Sequence, residues 1–139
     1  MCTCWVGRPW LDSWSESGVS ELALDARAWS GLEYLESLSG PGAIEELVEA
    51  FKRDAPNRLV RMKAALAAGE WQSLSRLAHD LKSNSATLGV LPLSLLAEKI
   101  ELTALEGWEA NLASLIEAAE SLLPQVMTAL EERAKRYPA

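Results

Sequence analysis

Histidine and cysteine are scarce in this sequence, and each scarcity excludes a chemistry. His79 is the only histidine in 139 residues. One imidazole cannot supply the paired Glu-x-x-His motifs of a di-iron bundle. The two cysteines, Cys2 and Cys4, form an isolated Cys-x-Cys at the N-terminus. With one distant histidine they are too few ligands for a structural zinc site, so no metal is expected and the thiols are read as part of a frayed terminus. No stretch of about 18 apolar residues occurs, so no membrane span is expected. Basic residues number 13 against 20 acidic ones, for a net charge of −7. No basic stripe is present to contact phosphates along a nucleic acid. No glycine-rich phosphate loop or nucleophile elbow is found, which argues against an ATP-using kinase or a hydrolase. No basic segment followed by an apolar run marks a secretory signal, and the cytoplasm is the expected compartment.

What is present is apolar and helical. Apolar residues make up 49% of the chain, enough for one domain with a real core. Residues 1–22 stand apart: Trp5, Trp10 and Trp14 alternate with Gly, Pro, Ser and Asp without sustained helical spacing. They are read as an irregular tail, with partner binding as the alternative. From residue 23 to 137 the periodicity predicts a bundle. Asp25 is a fitting N-cap for a short helix over about 26–38, with Trp29, Leu32, Leu35 and Leu38 as its apolar face. Ser39-Gly40-Pro41-Gly42 is the strongest breaker in the chain.

A helix over about 43–68 follows, its face formed by Ile44, Leu47, Val48, Phe51, Ala55, Leu59, Met62 and Leu66. Pro56 lies inside it, and the unbroken apolar phase predicts a bend there, not a break. Further helices are expected over about 71–88, 92–106 and 109–135, the last with Pro124 inside. Gly89 suits the left-handed position after a helix end, and Pro92 suits a first turn. No segment alternates with period two. The expected fold is all-α: an antiparallel up-and-down four-helix bundle with a short extra N-terminal helix.

The 71–88 helix carries the chemistry. Trp71, Leu74, Ala78, Leu81, Ser85 and Leu88 repeat at intervals of three and four, a seam facing a core. At about 100° per residue, the centre of that seam lies well over 90° around the helix from His79. Around His79 stand Ser75, Ser83 and Ala86, which leave room, and Lys82 and Arg76, which bring positive charge within one turn. An imidazole with an unperturbed pKa near 6.5 is itself a nucleophile needing no separate base. Attack on phosphorus requires an exposed ring nitrogen, space for three oxygens and nearby positive charge. Taken singly, these residues have ordinary readings: a solvated surface histidine, a surface lysine, small residues at a helix contact, and an Arg76–Asp80 pair at i,i+4.

Jointly they are more specific. His79-Asp80-Leu81-Lys82-Ser83-Asn84-Ser85-Ala86-Thr87-Leu88-Gly89 resembles the signature of histidine-containing phosphotransfer (HPt) domains, roughly His-x-Leu-Lys-Gly-Ser-Ser-Ala-x-Leu-Gly. Ala78 before it, Leu93, Leu96, Ile100 and Glu101 after it, and the Phe51–Pro56 stretch agree, so the resemblance spans about residues 23–135. It implies that His79 accepts a phosphoryl group from the phospho-aspartate of a response-regulator receiver domain and passes it to another receiver. The protein would be a carrier and not a turnover enzyme, with a hybrid histidine kinase as a further partner. A monomer without a cofactor of its own is implied, the Mg²⁺ being the receiver's. By the same resemblance Lys82 stabilises the phosphoryl oxygens and Glu101 bonds one ring nitrogen. Ser83 stands where the family has Gly; its hydroxyl either bonds the phosphoryl group or ring, or crowds the approach of the receiver. The alternative reading is a helical adaptor that binds a receiver or kinase without carrying phosphate.

Overall fold

The structure, a computed structural model, describes residues 22–137. The tail's Cys and Trp residues lie outside the described residues. Five helices follow one another: α1 (Ala26–Ser39), α2 (Ala43–Ala68), α3 (Trp71–Thr87), α4 (Leu91–Glu106) and α5 (Glu109–Ala134). No strand occurs among the described residues. Helices α2 to α5 form a closed ring in which each packs against its two neighbours, α2 on α3 and α5, α4 on α3 and α5. Links of two or three residues force successive helices to run antiparallel. Each helix end falls within one residue of the sequence expectation.

Every link is set by a glycine in the left-handed region: Gly40 and Gly42 before α2, Gly69 before α3, Gly89 before α4 and Gly107 before α5. The most constrained is Gly89, at φ 74°. A Cβ there would lie 2.9 Å from the Asp25 amide nitrogen and 3.0 Å from Trp29 Cδ1. The close approach is used. Asp25 N–H donates to Gly89 C=O at 2.9 Å, and Trp29 Nε1–H donates to Leu88 C=O at 2.7 Å. Asp25 caps α1 as expected, accepting from the Ala28 amide at 3.1 Å. Helix α1 is thereby tied to the C-terminal end of α3. On its other side Trp29 stacks on Tyr137 at 6.1 Å, lies under the Arg133 guanidinium, and is fully buried.

The core contains most of the predicted apolar positions. Ile44, Val48, Phe51, Ala55, Leu59 and Met62 are buried from α2, with Leu47 and Leu66 partly buried beside them. Leu93, Leu96, Ala97, Ile100 and Ala104 are buried from α4, and Leu112, Ile116, Ala119, Leu122, Leu123, Val126 and Leu130 from α5, with Leu115 partly buried beside them. Both α2 and α5 continue through their prolines. One expectation fails. Only Trp29 and Leu32 of α1 are buried, while Leu35 and Leu38 are exposed. A spacing of three falls about 60° short of a full turn at each step, so the four residues wind half-way around the helix instead of holding one face. The missing fours in the pattern were the signal.

Candidate functional site

Three side chains converge on the outer face of the α3–α4 pair. His79 and Lys82 stand one turn apart on α3, and Glu101 faces them from α4. The Glu101 carboxylate is shared: Oε2 lies 3.0 Å from His79 Nδ1, and Oε1 lies 2.9 Å from Lys82 Nζ. The burial gradient is informative. The Glu101 side chain is 19% exposed and Lys82 29%, whereas His79 is 55% exposed. The carboxylate is therefore a recessed anchor and the imidazole the accessible group. Lys82, expected to face solvent, is half-buried instead, because its ammonium folds back on Glu101.

The Lys82 ammonium, and after it the His79 ring, hold the Glu101 carboxyl below the usual carboxylate range, against the opposing effect of partial burial. Glu101 is thus ionised at neutral pH and can only accept hydrogen bonds. A neutral His79 meeting that acceptor carries its proton on Nδ1. The lone pair of Nε2 is then left for chemistry.

Next to the ring opens a shallow pocket of about 290 Å³ between α3 and α4, lined by Gln72, Ser75, Arg76, His79, Glu101 and Leu105. Arg76 is exposed, and the Arg76–Asp80 pair weighed from the sequence is not among the ion pairs of the described residues. Ser83 and Ala86 are exposed on α3. Ser75 departs from its expected place at the solvent side of His79. It is buried, and its hydroxyl donates to the Glu101 main-chain carbonyl at 3.3 Å. Small residues on both helices explain the reach: Ala78 on α3 and Ala97 and Ala104 on α4 are fully buried, so the backbones approach closely.

Two features were not singled out from the sequence. Ser94 of α4 donates to the Lys82 carbonyl at 3.1 Å. A hydroxyl bonded to a main-chain carbonyl on another helix leaves no trace in side-chain spacing. The second feature is a set of exposed apolar residues on α4 beside the site, Leu91, Leu95, Leu102 and Leu105, followed by Trp108. Their mutual spacing was legible as a second apolar stripe on a helix whose other face is core.

Among the described residues no group of three His, Cys, Asp or Glu side chains is placed to hold a metal ion, and no helix is long and apolar enough to cross a membrane. The family model of the Hpt domain matches residues 46–133, from the first turn of α2 to the last turn of α5. Among solved structures the chain is similar to histidine-containing phosphotransfer protein B (HptB) from Pseudomonas aeruginosa PAO1, with a TM-score of 0.73 and 28% identity. That similarity covers 82% of this chain and 96% of the other. No curated protein matches by sequence. A family-model match over more than half of the chain, with an exposed histidine on the third of the five described helices, places this protein in the Hpt family of histidine phosphotransfer domains.

Proposed function

We propose that His79 is the phosphoryl acceptor and donor, taking the group from the phospho-aspartate of one receiver domain and delivering it to the aspartate of another. The observation that carries this reading is the 3.0 Å contact of Glu101 with Nδ1, which leaves Nε2 as the free, exposed nucleophile. The Nε2 lone pair attacks phosphorus. The N–P bond forms as the bond between phosphorus and the aspartyl carboxyl oxygen breaks, and the receiver's carboxylate departs with that electron pair. No proton has to move: the ring retains its Nδ1–H and becomes cationic, and the Glu101 carboxylate already faces the new charge. Delivery to a second receiver is the same exchange in reverse, with an aspartate carboxylate attacking phosphorus and neutral His79 leaving.

Lys82 and Arg76 supply the positive field for the phosphoryl oxygens. The Lys82 ammonium has three donors. The ammonium pairs with Glu101 Oε1 at 2.9 Å, and its solvent-side donors are open to phosphoryl oxygens. Arg76 lines the pocket from the preceding turn. The exposed Leu102 and Leu105 on α4 give a receiver an apolar surface next to the reacting nitrogen.

The test is phosphoryl labelling from a phosphorylated receiver. Wild type acquires a label that is acid-labile and alkali-stable, as a phosphoramidate is, and His79→Gln acquires none. An equal label on His79→Gln, or none on the wild type from any receiver of the source organism, overturns the carrier reading; receiver binding without label would favour an adaptor.

A further inference from the structure

Two hydroxyls cross between α3 and α4, and together they frame the site. Ser75 on α3 donates to the main-chain carbonyl of Glu101 on α4 at 3.3 Å. Ser94 on α4 donates to the main-chain carbonyl of Lys82 on α3 at 3.1 Å. The two bonds are reciprocal. Each partner of the Lys82–Glu101 ion pair has its own backbone held by a serine from the opposite helix. Each serine lies seven residues before the charged residue of its own helix, Ser75 before Lys82 and Ser94 before Glu101. Seven residues are two helical turns, so serine and charge share a face on each helix. Both bonds therefore report one antiparallel register between α3 and α4.

We infer that Ser75 and Ser94 are positioning residues for phosphotransfer: they lock the α3–α4 register so that one Glu101 carboxylate reaches His79 Nδ1 and Lys82 Nζ together. This rests on the proposal that His79 carries the phosphoryl group. The need for such a lock follows from the packing. Ala78 on α3 and Ala97 and Ala104 on α4 are fully buried, and such small side chains offer less resistance to sliding than large interdigitating ones. A slide of about 1.5 Å, the rise of one residue, would take Glu101 out of hydrogen-bond reach of His79 or of Lys82. Two hydroxyl–carbonyl bonds at separate points along the axis resist both sliding and twisting. Each serine hydroxyl bonds a main-chain carbonyl and not the ring, so it acts through the placement of Glu101 and Lys82.

The consequence is readable in the unphosphorylated protein. With the register held, Glu101 accepts from Nδ1 and His79 is in the Nδ1–H tautomer. With it released, the ring reverts toward the Nε2–H form, which hides the attacking lone pair. The experiment compares the wild type with Ser75→Ala, Ser94→Ala, their double variant, and Ser94→Thr, which keeps the hydroxyl at a partly exposed position. An exposed serine on α3, Ser73→Ala, is the control. Ring ¹⁵N shifts of His79 report the tautomer, phosphotransfer from a receiver reports the rate, and circular dichroism reports helix content.

The double variant is expected to keep its helix content, to lose the Nδ1–H preference and to transfer about tenfold more slowly, misplacement of about 1 Å being worth as much or more. Ser94→Thr and Ser73→Ala are expected to match the wild type in all three. An unchanged tautomer in the double variant overturns the inference, as does a Ser94→Thr variant that behaves like Ser94→Ala. Should the wild type itself take no label, the carrier reading falls, and the tautomer alone then decides for or against the positioning role.

Discussion

Removal of the Lys82 ammonium would leave the Glu101 carboxylate with the His79 ring as its remaining partner in the site. Lys82 is the foremost influence holding the Glu101 carboxyl below its usual range. In Lys82→Ala the carboxylate regains mobility, and the phosphoryl oxygens lose a cation. Transfer is expected to slow by about tenfold or more, in the manner of removing one preorganised donor from an active site. The fold should stay within about 1 kcal/mol of wild type, since the pair is partly exposed and such pairs are worth little. A urea titration beside the transfer assay separates the two effects, and a large stability loss with unchanged rate would reverse the assignment. At this scale the site was only partly legible in the sequence. His79 and Lys82 stand one turn apart on a single helix, which spacing shows, whereas Glu101 on the next helix was indicated only by the resemblance to HPt domains. That Ser75 is an interhelix donor and not part of the open face depends on where α4 crosses, which no residue of α3 encodes.

Helix α1 lies outside the region matched by the Hpt family model, yet it contacts the C-terminal end of α3, the helix that carries His79. Its attachment is polar and specific: Asp25 N–H to Gly89 C=O, and Trp29 Nε1–H to Leu88 C=O. Both acceptors belong to the turn that stops α3, so α1 satisfies carbonyls that the helix end leaves open. Gly89 is the hinge of this arrangement. Gly89→Ala would force a side chain into the left-handed region and set its Cβ against Asp25 and Trp29. The expected loss is about 2–3 kcal/mol in a urea titration, the range for strain combined with a clash in a packed interface. Trp29 fluorescence should report α1 loosening. Gly107→Ala is the comparison: it has the same φ, but the nearest atom to its Cβ is 3.8 Å away, so it suffers strain without the clash and loses less. Equal losses in the two would refute the close approach. The left-handed glycine was legible from Leu88-Gly89-Val90 and the proline beyond. The docking of Trp29 on it was not, because a repeat of threes suggested a broader apolar face than α1 possesses.

At the scale of the bundle, ion pairs fasten two of the four helix–helix contacts of the ring, and their titration bears on how the bundle responds to acid. Lys82–Glu101 joins α3 to α4, while Lys52–Glu131 at 2.7 Å and Lys63–Glu120 at 2.6 Å join α2 to α5. Lys52 holds the Glu131 carboxyl below its ordinary value, as Lys82 does for Glu101. A carboxyl whose folded pKa is depressed binds its proton more weakly when folded, so unfolding takes up protons as the pH falls. Its contribution to stability is complete above the unfolded value of about 4.3 and is lost as pH drops through the lower folded value. The urea midpoint should therefore be flat with respect to these two groups from pH 8 to about pH 5.5, and fall below about pH 4.5. Glu101→Gln and Glu131→Gln each remove one titrating group and should each flatten that acid limb, the double variant most. Salt discriminates between them. The more exposed Lys52–Glu131 pair should be screened by 0.5 M salt more than the recessed Lys82–Glu101 pair, so Glu101→Gln should still flatten the limb at high salt when Glu131→Gln no longer does. Acid limbs that run parallel in the wild type and both variants would show that neither carboxylate is held as the structure places it. A flattening by Glu131→Gln alone would mean that the Glu101 carboxylate is not bound to Lys82 and His79 in solution, which would take away the orienting contact on which the proposed chemistry of His79 depends.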